Sequence, residues 1–182
     1  MLMMTEPNPR KVILYLAQSL DGFIAEEDGS TAWLAALNSA EADNAYQEFY
    51  RGVDTVVMGR KTYQQSLQRA GTYPYQEKQG YVFSKTLHDT DDRTTVVAGN
   101  VSEFIRQLKS EPGQNIWLVG GADIFTELLK AQLVDELILT IAPVLLGDGV
   151  SLVSTNLTDI PLTLKQTRTL GQLVELTYQI DY

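Results

Sequence analysis

Short apolar runs alternate with helical stripes along most of the chain, and this alternation predicts its elements. Residues 11–17 (KVILYLA) are rich in strand formers and run into the Asp21–Gly22 pair, the mark of a sharp turn, so a first strand is expected there. From Ser39 to Tyr50 the period changes: Ala42, Ala45, Tyr46 and Phe49 recur at helical spacing, with Ser39 placed to cap the helix. Residues 55–58 (TVVM), 81–83, 95–98 and 116–119 are short and largely apolar, as in strands covered on both faces. Between the last two, Val101, Phe104, Ile105 and Leu108 form a helical stripe, and residues 122–130 predict another helix. Strands that alternate with helices argue for a largely parallel sheet with right-handed crossovers. Beyond residue 135 the texture shifts: residues 136–146, 162–166 and 173–180 read as strands without intervening helices, punctuated by Gly147, Gly149 and Gly171. That predicts an antiparallel end to the sheet.

Composition narrows the picture. With 182 residues the chain supports one core, so a single domain over 10–182 is expected behind a flexible leader at 1–9. An apolar fraction of 44% with 20% charged residues is that of an ordinary globular protein, and no apolar run approaches the roughly 20 residues of a membrane span. The first ten residues contain Pro7 and Pro9 and do not read as a secretory signal. The absence of cysteine excludes disulfides, thiolate metal sites and a cysteine nucleophile, and points to a cytoplasmic protein. A net charge of −9 opposes nucleic-acid binding, because such binding depends on neutralising phosphates. It also makes any local cationic spot informative. His88, Asp89, Asp91 and Asp92 share a polar segment without a calcium-loop pattern, so they read as a solvated loop and no metal is expected.

Three strand ends carry chemistry suited to an anion. In residues 58–63 (MGRKTY), Gly59 permits a close turn into a helix whose free amides carry a positive dipole end, and Arg60, Lys61 and Thr62 add donors. A strand-to-helix turn with merely solvated basic residues fits the same letters. In residues 119–124 (VGGADI), Gly120 and Gly121 expose bare backbone before a helix that Asp123 caps or starts, so a pyrophosphate has room to approach; a tight turn without ligand is the alternative. In residues 81–85 (YVFSK), Ser84 and Lys85 place a hydroxyl beside an ammonium, a pair suited to a phosphate monoester but equally ordinary at a surface. In one parallel sheet these ends share an edge, where open α/β sheets bind ligands. No Gly-x-Gly-x-x-Gly follows the first strand, which disfavours a Rossmann fold.

Taken with residues 17–25 (AQSLDGFIA), Trp33–Leu34, residues 118–125 (LVGGADIF) and residues 142–149 (APVLLGDG), these segments resemble the dihydrofolate reductase superfamily. The resemblance is greater to the branch similar to the reductase domain of bacterial riboflavin biosynthesis. It implies an α/β three-layer sandwich with a mostly parallel central sheet and an antiparallel C-terminal edge. It also implies NADPH along the carboxyl edge of the sheet, with the nicotinamide near Ala17 and Ile24. Arg60, Thr62, Ser84 and Lys85 would take the adenosine phosphates, with Lys61 adjoining. The amides from Gly121 through Ala122 and Asp123 to Ile124 would take the pyrophosphate, behind a Gly120–Gly121 bond that is often cis in this family.

The folate-reducing members require a buried carboxylate shortly after the tryptophan, and that position falls near Asn38. An amide supplies neither charge nor proton, so folate reduction is disfavoured unless Glu41 or Asp43 takes its place. The expected activity is NADPH-dependent reduction of a small pyrimidine- or pteridine-like compound. The alternatives are dihydrofolate reductase activity and a nucleotide-binding module without catalysis. In the reductase reading, Asp21 positions a polar substrate group or relays a proton, Trp33 covers the pocket and Thr140 offers a hydroxyl at its floor. Asp21 as a plain turn residue and Trp33 as a core aromatic are the competing readings. A phosphorylated substrate would need a second anion site, for which Arg51 and the amides of Gly147–Gly149 are the candidates. The apolar C-terminal strands suggest a homodimer.

Overall fold

The computed structural model describes residues 9–154 and 157–182, so the leader expected over 1–9 falls almost wholly outside the described residues. β1 (Val12–Ser19) turns at Gly22 into β2 (Phe23–Ala25), followed by a short 3₁₀ helix (Ala32–Leu37) and α1 (Ala40–Arg51). The alternating part follows: β3 (Val53–Gly59), α2 (Arg60–Ala70), β4 (Gln79–Phe83), β5 (Thr94–Val97), α3 (Val101–Ser110), β6 (Asn115–Gly120) and α4 (Ala122–Lys130). β7 (Glu136–Ala142), the two-residue β8 (Val150–Ser151), β9 (Leu162–Leu170) and β10 (Leu173–Ile180) complete the chain.

The helix starts have local causes. Ser39 Oγ accepts from the Ala42 amide at 3.1 Å and Asn100 Oδ1 from the Glu103 amide at 2.8 Å, so α1 and α3 begin behind side-chain caps. In the eight-stranded sheet the order is β5-β4-β3-β6-β1-β7-β10-β9. Neighbours from β5 to β7 are parallel, and the β7–β10 and β10–β9 pairs are antiparallel. The fold is therefore the expected α/β sandwich with an antiparallel C-terminal edge. Ile105, Leu108, Phe125 and Leu128 of α3 and α4 pack on one face against Val12, Leu14 and Leu118. On the other face Tyr63 of α2, with Tyr46 and Phe49 of α1, packs over Val56, Met58 and Trp117. Among the described residues no helix is long and apolar enough to cross a membrane.

Two boundaries differ from the sequence pattern. β7 stops at Ala142 rather than continuing to Leu146, because Pro143 has no N–H to extend a ladder. The β2–β8 pair was not expected, since strands of three and two residues show no period. It brings Gly149 so near β2 that a Cβ there would lie 2.3 Å from the Ala25 carbonyl oxygen.

Tyr73 is fully buried, with its ring between Tyr63 and Tyr75. A Cβ on Gly80 would lie 2.3 Å from the Tyr73 hydroxyl oxygen and 3.0 Å from Cζ, and the enclosed ring has nowhere to retreat. Gly80→Ala is therefore expected to lower unfolding free energy by about 1–3 kcal/mol in urea titrations. Gly99→Ala, at an exposed position with nothing within 4 Å of the new methyl, is the control and should stay near wild type.

Candidate active site

β3 and β6 lie side by side, with Met58 opposite Gly120, and both run out into glycine at the carboxyl edge of the sheet. Gly59 precedes α2 and Gly121 precedes α4, and neither helix start carries a side-chain cap, so first-turn amides are left for a ligand. A Cβ on Gly59 would stand 3.3 Å from Ile124 Cγ1 and 3.9 Å from the Gly121 nitrogen. The two turns thus meet. The Gly120–Gly121 peptide is cis.

Two cavities open at this junction. The outer one, of about 530 Å³, is walled by Gly59, Arg60, Lys61 and Thr62 on the α2 side. On the α4 side it meets Gly121, Ala122, Asp123 and Ile124, and Ile24, Glu27 and Asp28 add to its lining. The inner one, of about 400 Å³, is walled by Tyr15, Ala17, Tyr46, Tyr75 and Trp117, with Thr31, Ser66 and Arg69 as polar members. Both share Ile24, Ala25, Thr62, Gln65 and Gly121, so they form one continuous groove. The outer part offers what a dinucleotide requires: two uncapped helix starts and the Arg60 and Lys61 cations for phosphates, beside glycines that admit close backbone approach. Ile24 lines both parts, and Ala17 lines the inner one.

Other expected residues are placed differently. Ser84 and Lys85 lie just past the end of β4, whose Phe83 reaches the outer cavity while they do not line it. The Ser84 hydroxyl already accepts from the Thr86 and Leu87 amides at 3.2 and 3.0 Å. Trp33 packs with Leu34, Leu37, Leu170 and Leu173 in a small separate cluster and does not line the inner cavity; Leu34 does. Asn38 lies on an outer groove beside Asp28 and Gln68. Thr140 is buried in the sheet between Ala17 and Glu175, behind the cavity wall rather than in it. Arg51 and the Gly147–Gly149 loop do not line either cavity; the cation at the inner mouth is Arg69.

Asp21, expected to position a substrate group or relay a proton unless a plain turn residue, is engaged by its neighbours. Its carboxylate accepts from Ser19 Oγ at 2.6 Å, the Gly147 amide at 2.7 Å and the Leu146 amide at 3.1 Å. These bonds, Ser19's the strongest, lower its pKa to about 2, so it holds no proton to give at neutral pH. Its placement makes it the fastener between the β1–β2 turn and the loop after β7.

The sequence reading did not anticipate the aromatic box. Tyr15 stacks on Phe49 at 4.3 Å, and Trp117 meets Tyr15 edge-on at 6.1 Å. Burial raises the phenol of Tyr15 above its ordinary range, with the Glu175 carboxylate adding to it, and burial likewise raises those of Tyr46 and Tyr75. All three remain neutral donors and acceptors. The available signal was Tyr15 alternating with Ile13 and Ala17 on one face of β1.

The Asp21 clamp has a definite pH signature. Because the folded-state pKa lies below the unfolded one, the clamp's contribution is complete above about pH 4 and is lost as pH falls through about 2. Amide proton shifts of Leu146 and Gly147 should titrate with a midpoint near 2, and Asp21→Asn should abolish that titration. A midpoint near 4 would mean the contacts are not maintained.

Comparison with known proteins agrees with this geometry. The sequence matches the RibD C-terminal domain family over residues 10–176. It is 42% identical over 170 residues to the uncharacterized protein YwjB of Bacillus subtilis (strain 168), covering 93% of this chain and 97% of that one. A crystal structure of a putative riboflavin biosynthesis protein from Shewanella sp. PV-4 superposes with a TM-score of 0.83 at 29% identity, covering 94% of this chain and 99% of that chain. The Thermotoga maritima diaminohydroxyphosphoribosylaminopyrimidine deaminase/5-amino-6-(5-phosphoribosylamino)uracil reductase shares the fold at a TM-score of 0.71 and 15% identity, over 95% of this chain and 57% of that one. The chain belongs to the RibD C-terminal domain family.

Proposed function

We propose that this chain is an NADPH-dependent reductase of a small pyrimidine-like substrate, similar to the 5-amino-6-(5-phosphoribosylamino)uracil reductases of riboflavin biosynthesis. The observation that carries the reading is the single groove running from two uncapped helix starts, past Gly59 and Gly121, into an aromatic cavity. Family membership supports it. Bound NADPH supplies the hydride, while the protein binds, orients and excludes water. Arg60, Lys61 and Thr62 face the adenosine phosphates, with Lys85 at the rim, and the first-turn amides of α4 face the pyrophosphate. Asp123, exposed in the first turn of α4, contributes its amide there.

The inner cavity sets the substrate class. Among the described residues its lining contains no carboxylate, which disfavours folate, and its charged member is Arg69, placed 2.5 Å from Thr31 Oγ1 at the mouth. Aromatic walls with one cation suit a neutral ring bearing an acidic substituent.

Titration with NADPH and NADH tests the cofactor assignment. NADPH should bind at micromolar concentration, roughly −8 kcal/mol, and its absence would sink the reading. Arg60→Ala and Lys85→Ala should each weaken NADPH more than NADH, by about 1.5–3 kcal/mol for a charge-assisted bond to the 2′-phosphate. Equal losses for both cofactors would remove the phosphate assignment.

A homodimer belongs to the same proposal. β9 is an edge strand whose outer side has no partner among the described residues, and its exposed Leu162 and Leu164 share a face with Val174 of β10. A second copy laid over that strip would cover it. Light scattering should give twice the chain mass, reduced to the monomer by Leu164→Glu.

A further inference from the structure

Glu175 of β10 lies opposite Thr140 of β7 on one side and Arg168 of β9 on the other, on the sheet face covered by α1. Its side chain is 1% exposed. Arg168 places both Nε, at 2.8 Å, and Nη2, at 2.5 Å, on the same oxygen, Oε1, while its Nη1 reaches Glu48 of α1 at 2.7 Å. The other oxygen, Oε2, has no hydrogen-bond partner among the described residues. A buried carboxylate is costly unless paired, and one left with an idle oxygen is half paired. Tyr15 stands on the same sheet face, one strand beyond β7, and its phenol, raised first by burial, is raised further by the Glu175 carboxylate. Tyr15 also lines the inner cavity, its ring fixed by Phe49 and Trp117.

We propose that Tyr15 and Glu175 form a charge-backed acceptor at the floor of the inner cavity: the Tyr15 hydroxyl donates to Glu175 Oε2 and turns its own lone pairs toward ring N–H or amino donors of the substrate. This rests on the reductase reading, which makes the inner cavity the ring site. No proton is consumed; the pair orients the ring. Tyr15 is the contact residue, Glu175 acts through it as a positioning residue, and Arg168 holds Glu175 Oε1 in place. A substrate ring carrying amino groups meets an acceptor here, whereas a carbonyl in the same place faces another oxygen and is rejected.

The test uses the whole chain saturated with NADPH and 5,6-diaminouracil as the ring probe, followed by calorimetry. Tyr15→Phe keeps the aromatic packing and removes only the hydroxyl; Glu175→Gln keeps the shape and removes the charge. Each is expected to weaken the probe tenfold or more while NADPH affinity stays within twofold. The double variant should be no weaker than the worse single, because both act along one path. Should Glu175→Gln fail to fold, Tyr15→Phe decides alone. Intact NADPH binding with unchanged probe affinity in Tyr15→Phe overturns the floor and leaves the reductase reading standing, as does a wild-type chain that binds NADPH but not the probe. A wild-type chain that binds no NADPH overturns the reductase reading itself, and the floor with it.

Discussion

Two parallel neighbours, β3 and β6, end in glycine at the same level, and the organisation of the groove follows from that backbone approach. With Gly59 and Gly121 under 4 Å apart by the measure of a single added methyl, two helices begin from nearly one point with their amides facing a common space. A side chain on Gly121, which lines both cavities, would narrow the passage between them. The strand order then decides what else arrives: β1 lies on the other side of β6, so Ala17 ends at the same edge, and the β1–β2 turn carries Ile24 to the junction. The sheet's parallel character makes this convergence possible, because only parallel neighbours bring successive carboxyl ends to one side.

Much of this was legible in the sequence for a physical reason. A glycine after a buried run, before a helical stripe, specifies a turn whose amides are free, and that signal is local. The cap Ser39 and the change from helix-separated to successive strands are local too. What escaped depends on register. Trp33 taken alone reads as a lid or a core aromatic, and Leu170 and Leu173 of the C-terminal hairpin come across to pack with it. Glu175 and Arg168 are unremarkable letters in two strands until the β9–β10 pairing sets them opposite each other. The aromatic box draws on β1, α1, β6 and the segment after α2, and no window of sequence contains it.

The two acids of this site show how burial and bonding divide labour between identical chemical groups. A carboxylate has about four acceptor positions. Asp21 is exposed, and three donors occupy its two oxygens, so its negative charge is committed to fixing the loop after β7 and its proton is bound only in strong acid. Glu175 is enclosed, its one engaged oxygen takes two bonds from a single guanidinium, and the other takes none. Exposure makes the first arrangement inexpensive and mechanical. Burial makes the second one costly, since water cannot complete the missing bonds. A cost of that kind, placed beneath the wall of a substrate-sized cavity, is what orientation of a polar ring demands: an acceptor fixed before the ring arrives, in a medium where its charge is weakly screened. With Asn38 on an outer groove and Arg69 the charged side chain that lines the inner cavity, the carboxylate behind the Tyr15 wall comes from the opposite end of the sequence.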